Sequence, residues 1–229
     1  MFSRAAPFMS RVVAIVEGRT EQAFCGQILV PTLGAKGVYL EAQLVGKPGH
    51  KGGVRSWESV RRDILNAIKQ QAGRVCTTMF DYYGLPGDWP GVRKGKKRTF
   101  RLGVEVVERS MHEEICGELG SGFDEKRFLP YVQLHEFETL LFSGPKELSA
   151  VLGTPSLDRK LREIVEKSGE PEAIDDNPNS APSKRISALA PHFQKVLHGT
   201  IAAQRIGIDT LRGACPHFAS WLAKLEALR

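Results

Sequence analysis

Val12, Val13, Ala14, Ile15 and Val16 form an unbroken, β-branched apolar run, the pattern of a strand covered on both faces in a parallel sheet. The run stops at Glu17 and turns through Gly18 into helical spacing. Ala23, Phe24, Ile28 and Leu29 mark one face of that helix, with Thr20 as its expected cap and Pro31 as its expected end. Val38, Leu40, Ala42 and Leu44 then alternate with Tyr39, Glu41 and Gln43, which predicts a strand covered on one side. GKPGHKGG (46–53) follows as a flexible basic loop. Between 56 and 71, Trp57, Val60, Ile64, Leu65 and Ile68 fall at helical spacing, and Gly73 closes that helix. VCTTMFDYYGLP (75–86) opens with a third strand, which ends on Asp81. Val104, Val107, Met111, Ile115 and Leu119 predict another helix, and FLPYVQL (128–134) a fourth strand running into HEFETLLF (135–142).

Strands alternating with helices imply a mostly parallel four-stranded sheet flanked by helices. Right-handed crossovers bring the carboxyl ends of such strands to one edge, where ligands bind in open α/β sheets. Beyond Ser143 the chain reads as helical: Leu157, Leu161, Ile164 and Val165 share one pattern, and IDDNPNSAPSKRI (174–186) is a turn-rich linker into a helix opened by Ser183, Lys184 and Arg185. Helices at about 191–206 and 216–228 complete this part, with Trp221, Leu222, Leu225 and Leu228 as its core. The expected organisation is a frayed extension over 1–10, an α/β domain over 11–143, and a helical extension over 144–229 packed on it.

Carboxylates stand at three of the predicted strand ends: Glu17, Asp81, and the pair Glu136 and Glu138. Glu21, four residues after Glu17, either shares a cation with it or complements the helix dipole. Clustered hard oxygens, with no CxxC pair among the four cysteines, select Mg²⁺, Mn²⁺ or Ca²⁺ over zinc or copper. Mg²⁺ (or Mn²⁺), as one or two ions, is the expected cofactor, and a pair of ions serves phosphoryl transfer by activating water and steadying the leaving oxygen. Without metal these acids repel one another, so at least one should have a raised pKa. His135 is expected to orient a carboxylate rather than to ligate metal.

The 229 residues carry 32 lysines and arginines against 26 acids, a formal charge of +6 that permits nucleic acid as a partner without demanding it. No apolar run approaches the roughly 20 residues of a membrane span, and the expected compartment is the cytoplasm. Six cations fall within RKGKKRTFR (93–101), namely Arg93, Lys94, Lys96, Lys97, Arg98 and Arg101. This segment is either a solvated, mobile loop or a phosphate-binding loop at the mouth of the acidic site. GVRKGK (91–96) is not a P-loop, since its spacing is one residue short and no serine or threonine follows the lysine. Tyr82 and Tyr83 raise a covalent tyrosine mechanism, against their alternative use in packing.

EGRTE (17–21) after an apolar strand, with an aspartate after the third strand, resembles the toprim domain of topoisomerases, primases and overcoming-lysogenization-defect nucleases. The ordered series EGRTE, TTMFDYYGLP, QLHEFETLLF, APSKRI and ACPHFASWL more closely resembles the toprim-like domain of unknown function 4276 family, nearly end to end. The resemblance implies a toprim-like fold, with Glu17 as the signature glutamate and Asp81 as the first acid of the aspartate motif. Toprim domains usually carry a second aspartate two residues on, where this chain has Tyr83. The expected function is a Mg²⁺-dependent phosphodiesterase cleaving DNA or RNA, with a separate ATPase of a phage-defence module as partner, and homo-oligomers compatible with it. Glu17, Asp81 and Glu136 are its expected catalytic residues and metal ligands, with Glu21 and Glu138 completing the metal set. Lys184 and Arg185 join the basic segment in holding nucleic acid. The alternative is a binding or regulatory module that keeps the fold without turnover.

Because no periodic pattern precedes Val12, a chain starting at Met9 is expected to fold with the thermal midpoint of the full chain; failure to fold, read by circular dichroism, would refute this.

Overall fold

The computed structural model describes residues 10–46, 52–53, 55–174 and 180–228. The proposed N-terminal extension, apart from Ser10, lies outside the described residues, as do most of GKPGHKGG and the central part of the 174–186 linker.

Strand β1 (Ser10–Val16) is the sheet's central line, buried from Val12 onward. After it, α1 (Arg19–Phe24) starts at Gly18, and Thr20 is buried inside the helix instead of capping it. Pro31 does not end this helix. The turn over Cys25–Leu29 widens into a π-helical segment in which the Val30 N–H reaches Cys25 O, and α2 (Val30–Gly34) continues with Pro31 in its first turn, where a missing N–H does least harm. Strand β2 (Val38–Leu44), helix α3 (Trp57–Lys69) and strand β3 (Val75–Asp81) follow. Next come a short helix α4 (Val92–Gly95), the long α5 (Phe100–Leu119), and strands β4 (Phe128–Leu129) and β5 (Val132–Gln133).

All strand pairs are parallel, in the order β2-β1-β3-β4 with β5 also on β3. The fourth predicted strand is therefore two short pieces. Pro130 has no N–H to give to the ladder. Side chains of β3 take its place: the Thr78 hydroxyl accepts the Tyr131 N–H and donates to the Tyr131 carbonyl, both at 2.9 Å. The Thr77 hydroxyl donates to Leu129 O at 2.5 Å.

Alternation along β1 and β3 supplies two cores. Val13, Ile15, Cys76 and Phe80 pack with α3 and α5 through Val60, Ile64, Val104, Val107 and Met111. Val12, Ala14, Val16 and Met79 face Phe24, Phe137, Leu141 and residues from the C-terminal helices α6 (Pro145–Val151), α7 (Asp158–Ser168), α8 (Pro182–Leu189), α9 (Thr200–Ile206), α10 (Ile208–Ala214) and α11 (Pro216–Glu226). Burial of each large apolar side chain here contributes about 1.5–3 kcal/mol. Helices α6 and α10 have no counterpart in the sequence reading, and the helix read at 191–206 is a π segment (Lys195–Gly199) leading into α9. The C-terminal part shares the sheet's own core: Trp221 stacks on Tyr131 at 4.2 Å between ring centroids and donates from Nε1 to the Thr77 hydroxyl at 2.8 Å. All four cysteines are free and buried. Among the described residues no helix is long and apolar enough to cross a membrane.

The basic segment is not a free loop. Residues 92–95 are helical, and their glycines serve close packing rather than adaptability. A Cβ on Gly95 would lie 2.7 Å from Gly103 O, and one on Gly103 would lie 2.6 Å from the Tyr82 hydroxyl. Gly103→Ala is therefore expected to destabilise the protein by about 1–3 kcal/mol in urea unfolding, as overpacking does; an unchanged midpoint would show that α4 stands off α5.

Candidate active site

Because β1, β3 and β5 run parallel, the residues that follow them emerge on one edge. Glu17 is clamped there: its backbone N–H donates to Met79 O at 3.2 Å, its carbonyl accepts the Gly53 N–H at 2.8 Å, and its Oε2 accepts the Asp81 N–H at 3.2 Å. Gly18 leaves room for the next acid, since a Cβ at that position would stand 2.9 Å from Glu21 Oε2. Glu21 is buried in the first turn of α1. Asp81 Oδ1 is buried and has no hydrogen-bond partner among the described residues.

The other two acids come from the 3₁₀ segment after β5. Glu136 precedes Phe137–Ser143, and its Oε2 accepts the Ser183 N–H at the start of α8, at 3.0 Å. Glu138, within that segment, is 1% exposed and holds Lys195 Nζ at 3.2 and 3.3 Å from its two oxygens.

Burial pushes Asp81 well above the usual carboxylate range, with Glu21, Glu17 and Glu138 adding to the effect. Burial, then the charge of Glu17, raises Glu21 to about 7. Burial raises Glu138 to about 7, with Glu136 adding and Lys195 opposing. Glu17 is raised by burial, and by Glu136 and Glu138, against the Asp81 N–H and Lys195. Burial alone would lower Lys195, but Glu138, Glu136 and Asp81 outweigh it and hold the ammonium charged.

All five predicted acids thus act on one another across a single edge. Lys195 is the addition that sequence reasoning missed. Its only signal was a lone cation in the apolar context FQKVL. Among the described residues no three acid, histidine or cysteine side chains are gathered closely enough to form a metal shell as they stand. The donor set nonetheless fits a hard divalent cation: every candidate ligand is an oxygen, and one oxygen of Asp81 is buried without a donor.

The remaining candidates divide. Lys96 and Arg98 line a cleft of about 530 Å³ with Tyr82, Tyr83, Phe100, His135 and Ala173. Arg93, Lys94 and Lys97 are exposed, with Arg93 Nε donating to Gly87 O at 3.1 Å. Arg101 is held away from a ligand by Glu170, which it contacts directly, and by Glu172 at 3.7 Å. Lys184 is exposed on α8, whereas Arg185 is tied by its Nε to Ser180 O at 2.5 Å. His135 Nε2 donates to the main-chain carbonyl of Glu172 at 3.1 Å, not to a carboxylate, and its backbone sits in the left-handed region at φ 60°. Tyr82 is buried with its hydroxyl against Gly103, which removes it as a nucleophile; Tyr83 is exposed.

A family model described as a domain of unknown function, DUF4276, matches residues 16–226. Among solved structures, the chain is similar to the C-terminal region of the Burkholderia pseudomallei OLD protein, with 16% identity over 97% of this chain and 100% of that one and a TM-score of 0.47. It is similar also to the C-terminal region of the Xanthomonas campestris pv. campestris OLD protein, with 15% identity over 96% of this chain and 97% of that one and a TM-score of 0.45. The comparison with curated proteins gave no match.

The raised acids set a pH dependence. Glu138 goes from an ordinary 4.5 to about 7 on folding, so between those values the folded state binds more protons than the unfolded state. Its contribution is complete below about pH 4.5 and is lost as pH rises through 7, by about 3 kcal/mol. In chelator, Glu138→Gln is expected to flatten the fall in urea midpoint between pH 5 and pH 8; an equally steep fall would remove Glu138 as its source.

Proposed function

We propose that this chain, which belongs to the family described as a domain of unknown function (DUF4276), is a Mg²⁺-dependent phosphodiesterase of toprim type that hydrolyses DNA or RNA. The observation that carries this reading is the single edge at which Glu17, Glu21, Asp81, Glu136 and Glu138 share one field, with Asp81 Oδ1 buried and without a donor. Glu17, Asp81 and Glu136 are the residues to hold a divalent cation, with Glu21 and Glu138 beside them. Such a cation supplies charge to phosphate oxygens and makes bound water acidic.

The chain's own groups have distinct tasks. Glu17, fixed by the Asp81 N–H and raised by burial, is suited to accept a proton from the attacking water. Lys195 places a desolvated ammonium beside Glu138, where it offsets negative charge gathered at the edge. Glu136, held by the Ser183 N–H, ties that edge to α8, which carries Lys184 as a contact for phosphate. Lys94, Lys96 and Lys97 supply sequence-independent attraction for a polyanion. A separate ATPase of a phage-defence module belongs to the same proposal as the partner that controls cleavage.

A second reading, a binding or regulatory module without turnover, is favoured by one observation: Lys195 already pairs with Glu138, while Tyr83 replaces a ligand that the toprim pattern supplies. Titration calorimetry with Mn²⁺, joined to cleavage of plasmid DNA and of single-stranded RNA, separates the two. Uptake of Mn²⁺ with cleavage, slowed roughly 10²–10⁴-fold by Glu17→Gln, is the expected outcome. Neither uptake nor cleavage by the parent would leave the module.

A further inference from the structure

We propose that the cleft lined by Tyr83, Phe100, Lys96 and Arg98 is a stacking subsite for one unpaired base of a single strand, whose adjoining phosphate lies on the two cations. The inference rests on the reading of the protein as acting on nucleic acid, and it names the form of substrate that reading leaves open.

Position is the first argument. Tyr83 stands two residues after Asp81, and His135 immediately precedes Glu136, so the cleft opens beside two of the site acids. Its rim is fixed by main-chain bonds that continue the β3–β5 ladder past the strand ends: the Tyr82 N–H donates to Gln133 O and the Tyr83 N–H to His135 O, each at 3.0 Å. A strand crossing the acids meets this rim one nucleotide further on.

The lining is the second. Tyr83 is 40% exposed, although most aromatic rings of this chain are buried. Phe100 is half-buried and braced by the His135 ring, 5.0 Å away between centroids. A volume of about 530 Å³ accommodates a nucleotide. Rigid aromatic faces beside a cationic groove are how proteins hold single strands, because every base offers a π-face whatever its sequence.

Charge is the third. Lys96 and Arg98 are exposed, no side chain among the described residues pairs with them, and no carboxylate lines the cleft. Arg101, by contrast, is neutralised by Glu170 and Glu172. The two unneutralised cations of the segment therefore flank the aromatic floor, as a phosphate next to a stacked base requires. A base within a duplex is covered on both faces and cannot use this floor, which selects single strands and frayed or flipped positions.

The test is fluorescence anisotropy in chelator with three labelled probes: a twelve-residue oligothymidylate, a twelve-residue abasic strand, and a duplex of the same length. The parent is expected to bind oligothymidylate more tightly than the abasic strand. Tyr83→Leu should lose roughly ten-fold for oligothymidylate while leaving the abasic strand and duplex unchanged, and Tyr83→Trp should keep the parent affinity. Replacing both Lys96 and Arg98 by alanine should weaken all three probes and reduce the salt slope by about two. Equal binding of oligothymidylate by parent and Tyr83→Leu, with the melting temperature intact, would overturn the subsite. Competition by thymidine monophosphate as strong as by the oligonucleotide would also overturn it, in favour of a free-nucleotide pocket. Chelator keeps the two readings apart: a parent that shows the base-dependent difference yet cleaves nothing when Mg²⁺ is added retains the subsite and loses the phosphodiesterase.

Discussion

Five carboxylates brought to one edge and largely withdrawn from water are the constraint around which this molecule is built. Like charges in a low-dielectric setting cost far more than the same charges on a surface, and Asp81, Glu21, Glu17 and Glu138 all respond by holding protons more tightly. The fold offsets that cost with fixed dipoles and one cation. The Asp81 N–H serves Glu17, the Ser183 N–H at the start of α8 serves Glu136, and Lys195 serves Glu138. No comparable donor reaches Asp81 Oδ1 among the described residues, so the imbalance is concentrated at the residue nearest the middle of the sheet edge.

Two of those three donors come from beyond residue 144. The helical C-terminal part is thus bound to the site by the site's own charges, as well as by the core it shares with β1 and β3. Glu172 makes the same connection from the other side. Its buried carboxylate accepts the N–H groups of His217 and Phe218 at the start of α11, at 2.9 and 3.0 Å, while its main-chain carbonyl takes His135 Nε2. An anion at a helix N-terminus satisfies donors that have no partner within the helix. Through it, the position of His135, and hence of the neighbouring Glu136, depends on how α11 is seated.

What could be read from the sequence follows from the range of the forces involved. The runs at 12–16 and 75–80 and the alternation at 38–44 record local burial, so β1, β2 and β3 stand where the pattern puts them. Acids at strand ends were legible for the same reason: parallel topology makes chain position a statement about space. The division of the fourth strand was not, because it depends on Thr78, 53 residues earlier, completing the ladder that Pro130 leaves open. Lys195 lies 57 residues from Glu138, and no local pattern marks it. The fate of Arg101 depends on Glu170, 69 residues away, and the glycines of the basic segment take their meaning from α5. Local periodicity carries the scaffold; pairings across long stretches of chain carry the charge balance of the site.

That balance also explains why the chain keeps two kinds of cation. Arg93, Lys94 and Lys97 are exposed, and charges in water separated by more than about 8–10 Å from their targets are screened at ordinary salt. They cannot quiet a buried acid, however many there are. A single desolvated ammonium in contact can, which is why Lys195 appears in the field of Glu17, Glu21, Asp81 and Glu138 while no member of the basic segment does. The exposed cations act instead at the range over which a polyanion is attracted. Tyr83 stands between the two regimes, on the acids' side of the cleft and facing Lys96 and Arg98. A carboxylate there would add to the repulsion at the edge and would cancel the cations across from it. An aromatic ring does neither, so replacing the toprim acid by Tyr83 relaxes the buried site and leaves the cleft positive in one step.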